Sequence, residues 1–141
     1  MPTLFTRIID GELPGIFVWR DGTCVSFLSI APLRHGHALV VPRAEVDKWT
    51  ELEPDLAAHL MIVAQRIAQA QQAAFSPVRV GLIIAGLEVP HCHLHCVPID
   101  SESDLHFGNA NNNASSDELE AAAVALRAAL GAAGYTDESR V

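Results

Sequence analysis

Lysine is nearly absent from this chain. Lys48 stands alone beside eight arginines, and no basic residues cluster anywhere. Seventeen acidic residues oppose nine basic ones, a formal net charge of −8 with neutral histidine. Binding to a long polyanion such as duplex DNA needs several clustered cations, so a nucleic-acid polymer is excluded as a partner. An anionic membrane surface is excluded on the same ground. Long apolar runs are also lacking. The longest, Val80 to Leu87, has eight residues and is broken by Gly81 and Gly86, far too short to span a bilayer. The opening stretch Met1-Pro2-Thr3-Leu4-Phe5-Thr6-Arg7 has no charged segment followed by an apolar one, so no signal peptide is expected. Cysteine is scarce: Cys24, Cys92 and Cys96 are odd in number and never spaced C-x-x-C. They read as reduced, buried thiols of a cytoplasmic protein.

What remains is ample for a core. Half of the residues are hydrophobic and 18% are charged, and 141 residues suit one domain. Leu4 to Ile9 reads as a short helix stopped by Gly11 and Pro14. Phe17 to Arg20, then Asp21-Gly22, then Thr23 to Leu28 reads as a β-hairpin, because Asp-Gly between apolar runs accommodates the positive φ of a tight turn. His37 to Val41 is an expected strand ended by Pro42. Pro54 opens a helix to about Ala74, with Leu56, Leu60, Val63, Ile67, Ala70 and Ala74 as its buried stripe.

Val78 to Ala85 is apolar on both faces and is expected to be a central strand; His91 to Pro98 is the next strand. Residues 100–116 are polar and read as a long loop. Ser115-Ser116-Asp117-Glu118 resembles a capping box that starts a C-terminal helix over 117–133. The whole is expected to be an α+β domain with an antiparallel sheet of about five strands, its core over residues 3–99.

Histidine is the exception to this scarcity of functional groups. There are seven, and His91, His93 and His95 alternate with Cys92, Leu94 and Cys96. In extended chain this puts three imidazoles on one face and the thiols on the other. Two histidines at i and i+2 can share a zinc ion, here completed by His37 or Glu88. All three on one ion would be strained, since His91 and His95 lie ~13 Å apart along a strand. Phosphorus chemistry uses the row better. A neutral imidazole is a nucleophile at pH 7 once its other nitrogen is held in one tautomer. Flanking imidazoles supply donors for charge on phosphate oxygens. His93 alone has an imidazole on each side. His59 reads as a surface or dimer-contact residue, and Trp19 and Trp49 as packing residues.

Pro90-His91-Cys92-His93-Leu94-His95-Cys96-Val97-Pro98 resembles the H-x-H-x-H-x-x signature of the histidine-triad (HIT) superfamily. Phe27-Leu28-Ser29-Ile30-Ala31-Pro32, Gly36-His37-Ala38-Leu39-Val40-Val41-Pro42-Arg43, Ala85-Gly86 and the opening helix resemble its other segments, so the likeness covers about residues 3 to 99. It implies a nucleotide-binding α+β fold whose protomers pair with their sheets joined. It also implies cleavage of a substituent from a nucleoside 5′-phosphate without a cofactor. By this resemblance His93 attacks the α-phosphorus and carries a nucleotidyl group, His95 contacts phosphate oxygens, and His91 and His37 fix the imidazoles. Phe5, Ile8 and Phe27 would line the pocket for a purine base. Ser29 and Ile30 would lie by the ribose, and Leu87 and Glu88 by the phosphate.

Four residues differ from the family pattern. Ser29 replaces an Asp, Leu87 a Gln, Glu88 a Ser or Thr, and Val80 an Asn. The cysteines that bind zinc near the start of some members have no counterpart in Phe5-Thr6-Arg7-Ile8. Three functions are compatible with these residues: hydrolysis of a P–N or P–O bond at the α-phosphate, hydrolysis of dinucleoside polyphosphates, or nucleotide binding with little turnover.

Overall fold

A computed structural model describes residues 1–139 and 141. A short helix, α1 (Leu4–Ile9), precedes the hairpin β1 (Phe17–Arg20) and β2 (Cys24–Leu28). Next come β3 (Ala38–Pro42), the long helix α2 (Pro54–Phe75), β4 (Arg79–Ile83) and β5 (Leu94–Ile99). Helices α3 (Ser116–Ala132) and α4 (Thr136–Ser139) end the chain. The five strands form one antiparallel sheet in the order β1-β2-β3-β5-β4.

Period-two alternation sorts the strand residues between two apolar layers. Cys24, Leu28, Ala38, Val40, Leu94 and Cys96 face the stripes of α2 and α3, where Leu60, Val63, Ile67 and Leu126 are buried. Val25, Phe27, Leu39 and Val41 face the other way, onto Phe5 and Ile9 of α1. His95 pairs with Leu39 across β3 and β5 and therefore shares the α1 side. Pro54 sits at the first position of α2, where its missing N–H costs nothing. Ser115 and Glu118 form the expected capping box of α3. Gly36 has φ +86°, and a Cβ there would strike the Phe75 ring, so no other residue fits this turn before β3.

Three sequence expectations need correction. The apolar stretch from Val78 is an edge strand, not a central one. Its length is Arg79–Ile83, and Leu82 points into solvent. The strand after it starts at Leu94, so His91 and His93 precede it. The N–H of Cys92 donates to Val46 O (2.7 Å) instead of joining the ladder. Residues 100–116 are also more than a loop: 3-10 turns form at Glu102–Leu105 and Phe107–Asn109. Arg34 holds this segment through ion pairs to Asp100 and Asp104.

Candidate active site

The histidine row survives its partial exclusion from the strand, because alternation continues through the extended segment. Cys92, Leu94 and Cys96 enter the α2 side of the core, while His91, His93 and His95 gather on the α1 side. His93 and His95 lie 4.8 Å apart between ring centres. His37, one residue before β3, joins them: its Nε2 is 2.9 Å from His95 Nδ1.

Each ring's tautomer follows from partners that can only donate or only accept. The Leu33 N–H donates to His37 Nδ1 (3.0 Å), so the His37 proton sits on Nε2 and is donated to His95 Nδ1. The remaining His95 proton is on Nε2. His93 donates its Nδ1–H to the His91 carbonyl (2.7 Å), which leaves the lone pair on Nε2. His91 donates Nε2–H to the Pro42 carbonyl (2.7 Å) and accepts at Nδ1 from the Thr3 hydroxyl (2.6 Å). Thr3 also caps α1 and is held by Glu45, which accepts its N–H. Two nitrogens are left without a protein partner among the described residues: a bare His93 Nε2 and a protonated His95 Nε2. One can attack an electrophile and the other can donate to its oxygen.

The electrostatics agree. Burial pushes His95 down to about 4, with help from neighbouring His93. Burial and the charges of His95 and His93 push His37 down to about 3. Burial also lowers His93, outweighing the bond to the His91 carbonyl and the small opposing influence of Glu88. All three imidazoles are neutral at pH 7.

Phe5 sets its ring edge-on to both Phe27 (5.4 Å) and His93 (4.9 Å), and Ile8 packs on this cluster. The three apolar residues expected at a base pocket are thus gathered beside His93. Ser29 lies at the end of β2 and turns its hydroxyl to the Ala31 N–H (3.3 Å). Ile30 is exposed, as are Leu87 and Glu88 on the loop before the triad.

Sequence reasoning missed Thr3 and Phe107. Thr3 carries the signal of an N-cap but not of a bond 88 residues away. Phe107 is the only aromatic residue in the polar segment, and it packs edge-on to His95 at 5.1 Å. His59 is not a free surface residue. It bonds Asp21 (2.8 Å) and ties α2 to the hairpin turn. Trp19 is buried as expected, whereas Trp49 is 53% exposed and lies outside the core.

Among the described residues, Asp21, Cys24 and His59 form the one group of side chains spaced to hold a metal. The Asp21 carboxylate is already filled. It accepts from Trp19 Nε1, the N–H groups of Thr23 and Cys24, and His59. Burial opposes its ionisation, but these bonds outweigh burial and hold it at about 2. Burial and the Asp21 charge drive the Cys24 thiol far upward, so it stays protonated. The group is a structural clasp and does not fit a metal.

An antiparallel α+β sheet thus carries four neighbouring histidines whose tautomers are set by their partners. The chain belongs to the histidine triad family: the HIT domain matches residues 10–102. It is 35% identical over 103 residues to an uncharacterised HIT-like protein of Mycobacterium tuberculosis, covering 70% of this chain and 72% of the relative. It is 28% identical over 107 residues to the adenosine 5′-monophosphoramidase of Schizosaccharomyces pombe, covering 72% and 73%. The structure of a zinc-bound histidine triad family protein from Mycobacterium smegmatis superposes with a TM-score of 0.79 at 29% identity, over 94% of this chain and 96% of that one. No helix in the described residues is long and apolar enough to cross a membrane.

Proposed function

We propose that this protein binds a purine nucleotide and cleaves a P–N or P–O bond at its α-phosphate. The carrying observation is the pair of open nitrogens, His93 Nε2 and the Nε2–H of His95. The His93 lone pair forms an N–P bond as the bond to the leaving group breaks. The electron pair departs with the leaving nitrogen or oxygen, which takes a proton from water. A second water then adds to phosphorus, its spare proton goes to solvent, and nucleoside monophosphate and free imidazole are regenerated. The His95 Nε2–H donates to a phosphate oxygen, where negative charge grows. His37 keeps that proton outward-facing, and the carbonyl of His91 keeps the His93 lone pair outward-facing.

Phe5, Ile8 and Phe27 line the base pocket, Ser29 and Ile30 lie by the ribose, and Leu87 and Glu88 flank the phosphate. Kinship with an adenosine 5′-monophosphoramidase supports a P–N bond as the one cleaved. No step runs through a metal, since the donors spaced for one are engaged with each other. A second copy of the chain covers the free edge of β4, where Leu82 is exposed. Light scattering on the eluted protein tests this pairing.

The chemical proposal is tested by intact-mass measurement after brief mixing with adenosine 5′-phosphoramidate. Wild type should carry an added nucleotidyl mass and release AMP, and His93→Ala should do neither. AMP release that persists in His93→Ala contradicts the proposal. One observation favours a second reading, nucleotide binding with little turnover: the Ser29 hydroxyl is turned to its own loop. Calorimetric binding of AMP without turnover would establish it.

A further inference from the structure

Residues 100–111 form a strap that is tied at both ends. At its start the Asp100 carboxylate accepts the Val78 N–H (3.1 Å) and pairs with Arg34 (3.0 Å). The Asp104 carboxylate also pairs with Arg34, and it accepts the N–H groups of Asp100 (2.8 Å) and Ser101 (3.1 Å). At its end the Asn111 N–H donates to Pro32 O (2.9 Å). In between, Leu105 rests on β4 over Gly81, where a Cβ would lie 2.8 Å from Leu105 Cδ2. A glycine inside a strand marks such a close approach, so Gly81 seats the strap. The Asn109 side chain donates to Ser103 O (3.0 Å) and joins the two 3-10 turns. What this scaffold presents is Phe107. Its ring is 47% exposed and belongs to neither apolar core, yet it meets the His95 imidazole edge-on at 5.1 Å. Held on tied backbone and gaining no place in the core, the phenyl ring has its packing partner in His95. The strap's two anchors, Pro32 and Arg34, flank Leu33, whose N–H sets the His37 tautomer. The strap therefore bears on both rings of the His37–His95 pair.

We propose that Phe107 is a positioning residue, held by the strap so that its ring covers one side of His95, fixes the imidazole plane and keeps water from it. The catalytic consequence rests on the cleavage proposed above, in which the His95 Nε2–H donates to a phosphate oxygen; the covering of the ring does not. The other groups around His95 leave this task open. Its cross-strand partners Leu39 and Ile83 are apolar. Two titratable groups face it, His37 (2.9 Å) and His93 (4.8 Å between ring centres), and both are neutral at pH 7. The strap's own carboxylates, Asp100 and Asp104, are turned to Arg34 and to backbone N–H groups, and His106 is exposed. A fixed and poorly hydrated donor is the arrangement that stabilises developing charge most strongly.

The first test needs no substrate. The His95 ring is titrated by NMR in wild type, Phe107→Ala and Phe107→Leu. Burial and His93 hold His95 at about 4 in wild type. Water admitted to one side of the ring favours its charged form, so in Phe107→Ala the midpoint should rise by about one pH unit or more. Phe107→Leu keeps an apolar cover and should stay near wild type. The second test is kinetic, with adenosine 5′-phosphoramidate at pH 7. In Phe107→Ala kcat should fall about tenfold while KM stays within about twofold, and Phe107→Leu should recover most of the loss. An unchanged His95 midpoint in Phe107→Ala overturns the inference, whatever the turnover. So does a Phe107→Leu midpoint as high as that of Phe107→Ala, or a rise in KM at constant kcat, which would make Phe107 a substrate contact. A raised midpoint together with no turnover by wild type upholds the covering of His95 and overturns the proposed cleavage instead.

Discussion

Two groups of titratable side chains in this protein use the same residue types to opposite ends. Around His93, every imidazole spends one nitrogen or both on a protein partner, yet His93 and His95 each keep one nitrogen open. Around Asp21, the carboxylate accepts five hydrogen bonds, one of them from the Cys24 thiol, and His59 is committed to it. Residue types alone would nominate the second group first, since Asp, Cys and His stand within ligand distance of one another. Unused hydrogen-bonding capacity separates a reactive centre from a clasp.

The largest effect that separates the two groups should come from His93→Ala. Its rate of AMP release from adenosine 5′-phosphoramidate should fall about 10³-fold or more, because no other bare nitrogen faces the substrate. Thermal stability should barely change. His37→Phe comes next: it frees His95 to take either tautomer, and kcat/KM should fall about tenfold or more in the same assay.

Asp21→Ala should do the reverse. Turnover should hold while unfolding free energy falls by about 2–4 kcal/mol, since a buried Trp19 N–H and two backbone N–H groups lose their acceptor. Calorimetry should show a Tm lower by roughly 10 °C.

The two groups should also separate by pH. His37 and His95 are depressed to about 3 and about 4 when folded, against 6.5 in the unfolded chain. As pH falls below 6.5 the unfolded chain takes protons that the folded one refuses, so stability declines from there toward pH 3. Asp21, depressed to about 2, contributes stability above pH 3.8 that is lost only as pH falls toward 2. Urea midpoints measured from pH 7 to pH 3 should therefore decline in wild type from about 6.5, and His37→Phe should flatten that decline while Asp21→Ala should not. The smallest effect is expected of Thr3→Val, which removes the hydroxyl at His91 Nδ1 and should cost about 1 kcal/mol, read from the same midpoints.

Much of this arrangement was legible in the sequence, and the reasons are local. Asp21-Gly22 marked the hairpin because few residues tolerate a tight turn, and Ser115 with Glu118 marked the start of α3 because both partners of a capping box lie within one turn. Alternation of histidine with Cys92, Leu94 and Cys96 sorted the two faces even though the strand begins only at Leu94. That late start was not legible, since the Cys92 N–H finds its acceptor at Val46, on another segment.

The edge position of β4 escaped for a different reason. A strand apolar on both faces reads as central, and nothing within the segment tells that β4 pairs with β5 alone. The turns over residues 102–109 have too few residues for any periodicity. Phe107 on His95 and His59 on Asp21 are contacts across the fold, which composition does not announce. Nothing in the sequence around Trp49 signals that it is 53% exposed while Trp19 is buried.

The tautomer pattern is the central claim, and it needs no substrate to test. Long-range nitrogen–proton correlation spectra of the histidine rings at pH 7 report which nitrogen of each ring bears the proton. The account predicts a proton on Nδ1 and a bare Nε2 for His93, and the reverse for His95. A proton on His93 Nε2 would contradict it.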